Sequence, residues 1–283
     1  MNEIEFYLED LKSKFSKINF KEYYLSYSGG MDSHFLFWFI KEYLKDSDIE
    51  IVSVNTRMEF PEISNRMIKN ADRILIPSLK PHEVIKKYGS PCFSKSQDTF
   101  IERYQKGCRS KSLMDRIERK HTFINSKTKQ LCLSSYNLNK LASELLLNNK
   151  LPKISAKCCN KLKKEPLKLY EKLYNKKAII GVRGGESILR GSKYKGCFTK
   201  NKKFTPLYDL PEELLKEIYI AYNIENLDIY KYLNQTGCAG CPYGIFKNHT
   251  EKELSLMTKA KRKYVLSLFR EVYNIRGVKY ETR

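Results

Sequence analysis

Residues 28–33 read Ser28-Gly29-Gly30-Met31-Asp32-Ser33, and their setting constrains the chain more than any other feature. Before them, 22–27 is a short run of β character; after them, an apolar helix is expected from about 34 to 44. A small-residue turn between strand and helix gathers backbone N–H groups and the positive end of a helix dipole, which together attract an anion. The glycines let backbone approach phosphate oxygens, and the Ser28 and Ser33 hydroxyls add donors; an ordinary tight turn is the alternative for the string alone. Further strands are expected at 49–55, 74–77 and 178–182. Strand, turn, helix, strand in that order opens a parallel α/β sheet. Residues 1–20 carry Ile4, Leu8, Leu11, Phe15 and Ile18 at helical spacing, and helices are also expected at 98–120 and 141–147. From 211 onward the chain reads helical apart from a turn at 237–244. The expected organisation is a helix at 1–20, an α/β domain at 21–210 and an appended helical subdomain at 211–283 that carries a C-x-x-C.

A chain of 283 residues has room for such a division, and 41% hydrophobic with 30% charged residues excludes collagenous, coiled-coil and wholly disordered chains. The first ten residues hold three Glu and one Asp, the wrong chemistry for a signal or transit peptide. The most apolar run, 35–40, is too short to span a bilayer, so the expectation is a cytoplasmic protein with no membrane partner. The formal net charge of +21 favours nucleotides, nucleic acid or another anionic partner. Of the 53 basic residues 40 are Lys, the weaker choice for bidentate recognition, so a lysine-rich surface set by composition is the competing account. The segments 157–177 and 193–203 are the expected contact surfaces for DNA or tRNA.

Four segments in order carry a family resemblance. Residues 28–33 resemble the SGGxDS loop of the PP-loop ATP pyrophosphatases, the adenine nucleotide α-hydrolase-like superfamily; no Gly-Lys-Ser/Thr follows, so this is not a Walker loop. Asn55-Thr56-Arg57-Met58-Glu59-Phe60-Pro61-Glu62 resembles the NTGxEFPET segment of the phosphoadenosine phosphosulfate (PAPS) reductase family, with Arg57 in place of the usual Gly. Gly181-Val182-Arg183-Gly184-Gly185-Glu186-Ser187 with Arg190 resembles that family's GxRxxES..R element. Thr205-Pro206-Leu207-Tyr208-Asp209 resembles its RPLxDW step, with Thr205 and Leu210 replacing the Arg and Trp. The resemblance runs from about 23 to 244. It implies a parallel-sheet nucleotide-binding domain with ATP held by Ser28, Gly29, Gly30, Met31, Asp32, Ser33, Thr56, Glu59, Gly181 and Glu186. Asp32 is the candidate holder of Mg²⁺, and Lys95, Arg183 and Arg190 are candidates for phosphate or acceptor charge; a solvated surface cation is the plain alternative for each of the three.

Eight cysteines in a chain read as intracellular point to metal or redox chemistry before disulfides. Cys238-Ala239-Gly240-Cys241 is a C-x-x-C, and Cys158-Cys159 is a vicinal pair among lysines. Vicinal cysteines fit one tetrahedral zinc poorly, whereas a cubane offers each a different iron. The pair with Lys157, the following Lys163-Lys164-Glu165-Pro166-Leu167 and the later C-x-x-C are similar to the [4Fe-4S] ligands of adenylylsulfate (APS) reductases. Zinc and unliganded thiols are the alternatives. Those reductases attack with a Cys near the C-terminus, and no Cys follows Cys241 here. An ATP-type loop combined with reductase-type cysteines resembles the ATP pyrophosphatase component of bacterial DNA phosphorothioation and, more loosely, iron-sulfur tRNA thiolation enzymes. The resemblance implies an enzyme that adenylates an acceptor, releases pyrophosphate and passes the acceptor on for sulfur transfer, with a cysteine desulfurase as possible donor. A sulfonucleotide (PAPS or APS) reductase and a non-catalytic nucleic-acid-binding subunit are the alternatives. Cys92, Cys108, Cys132 and Cys197 are core or surface thiols by default, although Cys197, among Lys193, Lys195 and Lys200, has surroundings that favour a thiolate. The four histidines show no ligand spacing.

Overall fold

The computed structural model describes residues 2–45, 48–186, 194–247 and 249–280. Its strands are β1 Tyr23–Ser26, β2 Glu50–Val54, β3 Arg73–Leu75, β4 Thr122–Ile124, β5 Leu131–Leu133 and β6 Lys177–Ile179. Four of them form one parallel sheet in the order β3-β2-β1-β6, with Leu25 opposite Ile51 on one side and Ile179 on the other. The chain is α/β, as the strand-turn-helix order requires. Contacts divide it into two compact units, Met1–Ser78 with Lys163–Gly237, and Leu79–Leu162 with Cys238–Arg283. Each unit is discontinuous in sequence, so neither follows the linear segments 21–210 and 211–283.

In the first unit β1 is central, and Tyr24 and Leu25 are fully buried, as a strand covered on both faces must be. The helix Glu3–Phe15 starts in a capping box, where the Asn2 side chain takes the Glu5 N–H at 2.8 Å and Glu5 takes the Asn2 N–H at 3.0 Å. It buries Leu8, Leu11 and Phe15, the last packing on Phe39 and Phe204 with centroids 5.3 and 5.2 Å away. The buried Lys14 ammonium locks this helix to a distant segment, bonding Asp209 at 2.7 and 2.9 Å and Asp10 at 2.8 Å. The helix after the glycine turn begins at Met31, three residues earlier than expected, and runs to Trp38. Pro61 opens the helix Pro61–Asn70, where its missing N–H costs nothing.

The second unit packs helices Pro81–Tyr88, Lys95–Gln105, Lys111–Ile117, Lys140–Leu147, His249–Leu256 and Lys259–Arg276. Ile101, Leu113, Ile117, Leu138, Ala142, Leu146 and Val272 share its core with Cys92. The single helix expected at 98–120 is two, interrupted at Gly107-Cys108-Arg109-Ser110, where Gly107 has φ +88°. An antiparallel ribbon, β4–β5, stands where no strand was expected. Among the described residues no helix is long and apolar enough to cross a membrane.

His34 gives this fold a specific acid sensitivity. Asn70 Nδ2 donates to Tyr27 Oη at 3.0 Å, and the same hydroxyl pairs with His34 Nδ1, also at 3.0 Å. Burial first, then the charges of Arg66 and Lys69, hold the His34 pKa down to about 3. Unfolded histidine binds a proton near pH 6.5 while the folded one does not, so stability is lost as pH falls below that value. Urea titrations should show the parent losing about 2 kcal/mol more than His34→Gln between pH 7.5 and 5; parallel curves would remove His34 as the cause.

Candidate functional site

The first unit collects the loops that follow β1, β2 and β6 at the carboxyl ends of its strands. The sheet order makes the gap between β1 and β6 a switch point: the chain builds outward through β2 and β3, then returns to the opposite side of β1. Open α/β sheets bind ligands at such points. The loop after β1 closes on itself, since Ser33 Oγ accepts the Ser28 N–H at 3.2 Å, meets Ser28 Oγ at 3.0 Å and donates to the Gly30 carbonyl at 3.0 Å. Gly29 has φ +71°, and a Cβ there would stand 3.0 Å from the Ile63 carbonyl oxygen. The loop therefore needs glycine both for its turn and for its packing.

The loop after β6 joins it. A Cβ on Gly181 would lie 2.9 Å from the carbonyl carbon and oxygen of Asp32, so only glycine allows this approach. Two residues on, Arg183 Nε donates to Asp32 Oδ1 at 2.8 Å, and its guanidinium lies 3.8 Å from Glu212. Sequence reasoning placed Asp32 and Arg183 in one site, and they are bonded to each other. It missed three hydroxyl residues that brace the same loop. Tyr230 Oη accepts the Met31 N–H at 3.2 Å and pairs with Thr236 Oγ1 at 2.8 Å, while Tyr219 donates to the Met31 carbonyl at 2.8 Å. Burial raises both tyrosines above their ordinary range, so they stay neutral. Two tyrosines among twenty carry no sequence signal for this role.

After β2, Glu59 accepts the Thr56 hydroxyl at 2.6 Å and its N–H at 3.2 Å. Arg57, where the resembling family has Gly, keeps the glycine conformation with φ +66°, and its N–H bonds Asn55 Oδ1 at 2.9 Å. Between these loops lies an open cleft with a volume of about 130 Å³. Tyr27, Val54, Ile63, Met67 and Leu167 make its apolar walls, with Ser26, Ser28, Glu59, Lys163, Thr236 and Gly237 around them.

The second unit holds Lys95, exposed at the start of its helix, and all four cluster cysteines. Cys158 and Cys159 are half-buried at the head of a helical stretch; in the C-x-x-C turn the Cys241 N–H bonds the Cys238 carbonyl at 3.1 Å. Burial, then the charges of Cys238, Cys159 and Cys158, push the Cys241 thiol well above its ordinary value, so those three sulfurs lie within electrostatic reach of Cys241. Among the described residues no three His, Cys, Asp or Glu side chains form a group that could hold one metal ion. The Glu253 carboxylate receives the Gly240 N–H at 3.1 Å, and burial lifts its pKa to about 7. Tyr273 donates to the Gly240 carbonyl, fixing the turn from its other side.

Of the remaining expectations, Arg190 lies outside the described residues, and Glu186 ends the turn Gly184–Glu186. Cys197 does not have the thiolate-favouring setting that its lysines imply: burial raises its pKa, outweighing Lys14 and Lys17.

No protein-family model and no curated protein matches the chain. Among solved structures it is similar to phosphoadenylyl-sulfate (PAPS) reductase from Candida auris in its phosphate complex. The identity is 12% over 80% of this chain and 83% of that one, with a TM-score of 0.40. It is also similar to NH3-dependent NAD synthetase from Campylobacter jejuni subsp. jejuni NCTC 11168 in complex with nitrate ion, with 14% identity, coverage of 99% and 97%, and a TM-score of 0.36.

Arg57 provides a test of the β2 loop. A left-handed backbone penalises any Cβ, so Arg57→Gly should be more stable than Arg57→Ala by about 1 kcal/mol, even though both lose the Arg side chain. Equal thermal midpoints for the two variants would show that the loop does not hold this conformation.

Proposed function

We propose that this chain is a PP-loop ATP pyrophosphatase that adenylates an acceptor for sulfur transfer, with nucleic acid as the acceptor. The observation that carries the reading is the self-closed Ser28–Ser33 loop at the β1/β6 switch point, bonded to Arg183 through Asp32 and opening beside a cleft with apolar walls. The apolar walls around Tyr27, Val54, Met67 and Leu167 suit a purine face, and Glu59 and Thr236 supply polar edges. The loop glycines and the Met31–Ser33 helix start suit the phosphates. An acceptor oxygen attacks the α-phosphorus, the bond to the bridging oxygen breaks, and pyrophosphate departs. Arg183 supplies fixed positive charge where negative charge develops in that step. Asp32 would hold Mg²⁺, an ion that binds through one or two carboxylates together with substrate phosphates and that would supply charge neutralisation for the pyrophosphate.

The cysteines of the second unit fit an iron-sulfur cluster in donor chemistry. A [4Fe-4S] cluster takes one thiolate per iron, so Cys158, Cys159, Cys238 and Cys241 need not converge on one atom. When bound it would supply electron transfer or a sulfur-handling iron to the adenylated acceptor. A cysteine desulfurase would be the sulfur source.

Pyrophosphate release is the deciding measurement. The protein should release it from ATP when the acceptor is present, and Asp32→Asn should slow release about a hundredfold or more while melting as the parent does, because Asn still accepts from Arg183. Reduction of PAPS with no pyrophosphate from ATP would overturn the reading in favour of a sulfonucleotide reductase.

The cluster has its own test. Anaerobically purified protein should be brown, with about four irons and acid-labile sulfide per chain. A Cys158→Ser, Cys241→Ser double variant should lose them. Stoichiometric zinc without iron would overturn the cluster while leaving the ATP site standing.

A further inference from the structure

The ribbon β4–β5 is an anomaly in its unit. It is two-stranded, both its edges are open, and its six residues are exposed or half-buried. Isolated ribbons of this size are marginal in water. The cross-strand register puts Thr122 opposite Leu133 and Ile124 opposite Leu131, so Ile124, Leu131 and Leu133 share one face. They are 68, 70 and 62% exposed, an apolar face that the rest of the described chain leaves to solvent.

The ribbon is nevertheless held firmly. Asn137, which is buried, accepts the His121 N–H at 3.2 Å and donates to the His121 carbonyl at 2.9 Å, and the Ser134 N–H bonds that carbonyl at 2.9 Å. At the tip, Asn125 Oδ1 takes the N–H groups of Lys127 and Thr128 at 2.9 and 3.3 Å, and Lys129 closes the turn with φ +57°. Cations stand at both ends, Arg119 and Lys120 at the base and Lys127 and Lys129 at the tip; Lys120 is paired with Glu118 at 2.6 Å, and no Asp or Glu occurs from 119 to 139. All four cations are exposed.

We propose that this ribbon is a docking arm for duplex DNA. The inference rests on nucleic acid being the acceptor in the function proposed above, and it names the surface and the duplex form. Cations at both ends of strands about 10 Å long match phosphates flanking a groove, while the aliphatic face between them suits thymine methyls and sugar edges. The B-form major groove, about 12 Å wide, admits a two-stranded ribbon. The deep, narrow major groove of an RNA duplex does not. A second copy of this chain would bring like charge to like charge.

Full-length protein should be titrated with a short DNA duplex, without ATP, at salt from about 50 to 200 mM. Replacing Arg119, Lys120, Lys127 and Lys129 with Gln should weaken binding about tenfold or more and lower the log–log salt slope by up to about 3.6. Ile124→Ser with Leu131→Ser should weaken binding with the slope unchanged. Melting curves check that both variants fold, and their ATP-dependent pyrophosphate release is measured separately. Parental DNA affinity in both variants overturns the arm, as does equal affinity for an RNA duplex. Binding to phosphatidylserine vesicles in place of DNA, or a parental dimer that the Ser variant dissociates, overturns it also. Loss of DNA binding in a protein that releases no pyrophosphate would leave the arm standing and remove the catalytic reading instead.

Discussion

The approach of Gly181 to the backbone of Asp32 and Ser33 is the contact on which the first unit's site depends. Neighbouring parallel strands deliver their following loops side by side, but contact between the loops requires that one lack a side chain. With hydrogen alone at 181, the β6 loop brings Arg183 within 2.8 Å of Asp32. That pair holds the first turn of the Met31–Trp38 helix in place from one side, and Tyr219 and Tyr230 hold Met31 from another. A site built this way is braced before any ligand arrives, which lowers the ordering cost of binding.

What was legible in the sequence follows from how local each determinant is. The Ser28–Ser33 loop, β1, β2 and the helix Glu3–Phe15 are specified by residues within a few positions, and their positions follow from period and turn chemistry. Gly181 and Arg183 were legible because motif spacing encodes the tertiary contact indirectly. Tyr219, Tyr230 and Thr236 were not, since a hydroxyl that caps a loop 199 residues away leaves no local pattern. The β4–β5 ribbon was missed for a related reason: Thr122–Ile124 and Leu131–Leu133 are three-residue strands, too short for a period-two signal. The break at Gly107 was visible as a residue but outweighed by apolar spacing on either side of it.

Arg57 shows that a motif departure need not mean a changed backbone. The segment it resembles has glycine at this position, and here a positive φ is held with a side chain present. The Asn55 side chain meets the Arg57 N–H, while Thr56 is tied to Glu59 by two hydrogen bonds, so the neighbours over-determine the turn. Strain of this kind persists only where surrounding bonds hold it. The loop geometry is thus maintained by its polar contacts.

The chain order itself links the two sets of groups in the proposed reaction. Cys238 follows directly on Gly237, the last residue lining the cleft, and Lys163, another lining residue, comes four positions after Cys159. Both passages of the chain between units after residue 79 therefore run from a cysteine pair to a cleft wall. Thr236 is held by Tyr230 at 2.8 Å, and the C-x-x-C turn that follows is fixed by Glu253 and Tyr273. The link 236–238 is therefore held at each end by hydrogen bonds, to Tyr230 before it and to Glu253 after it.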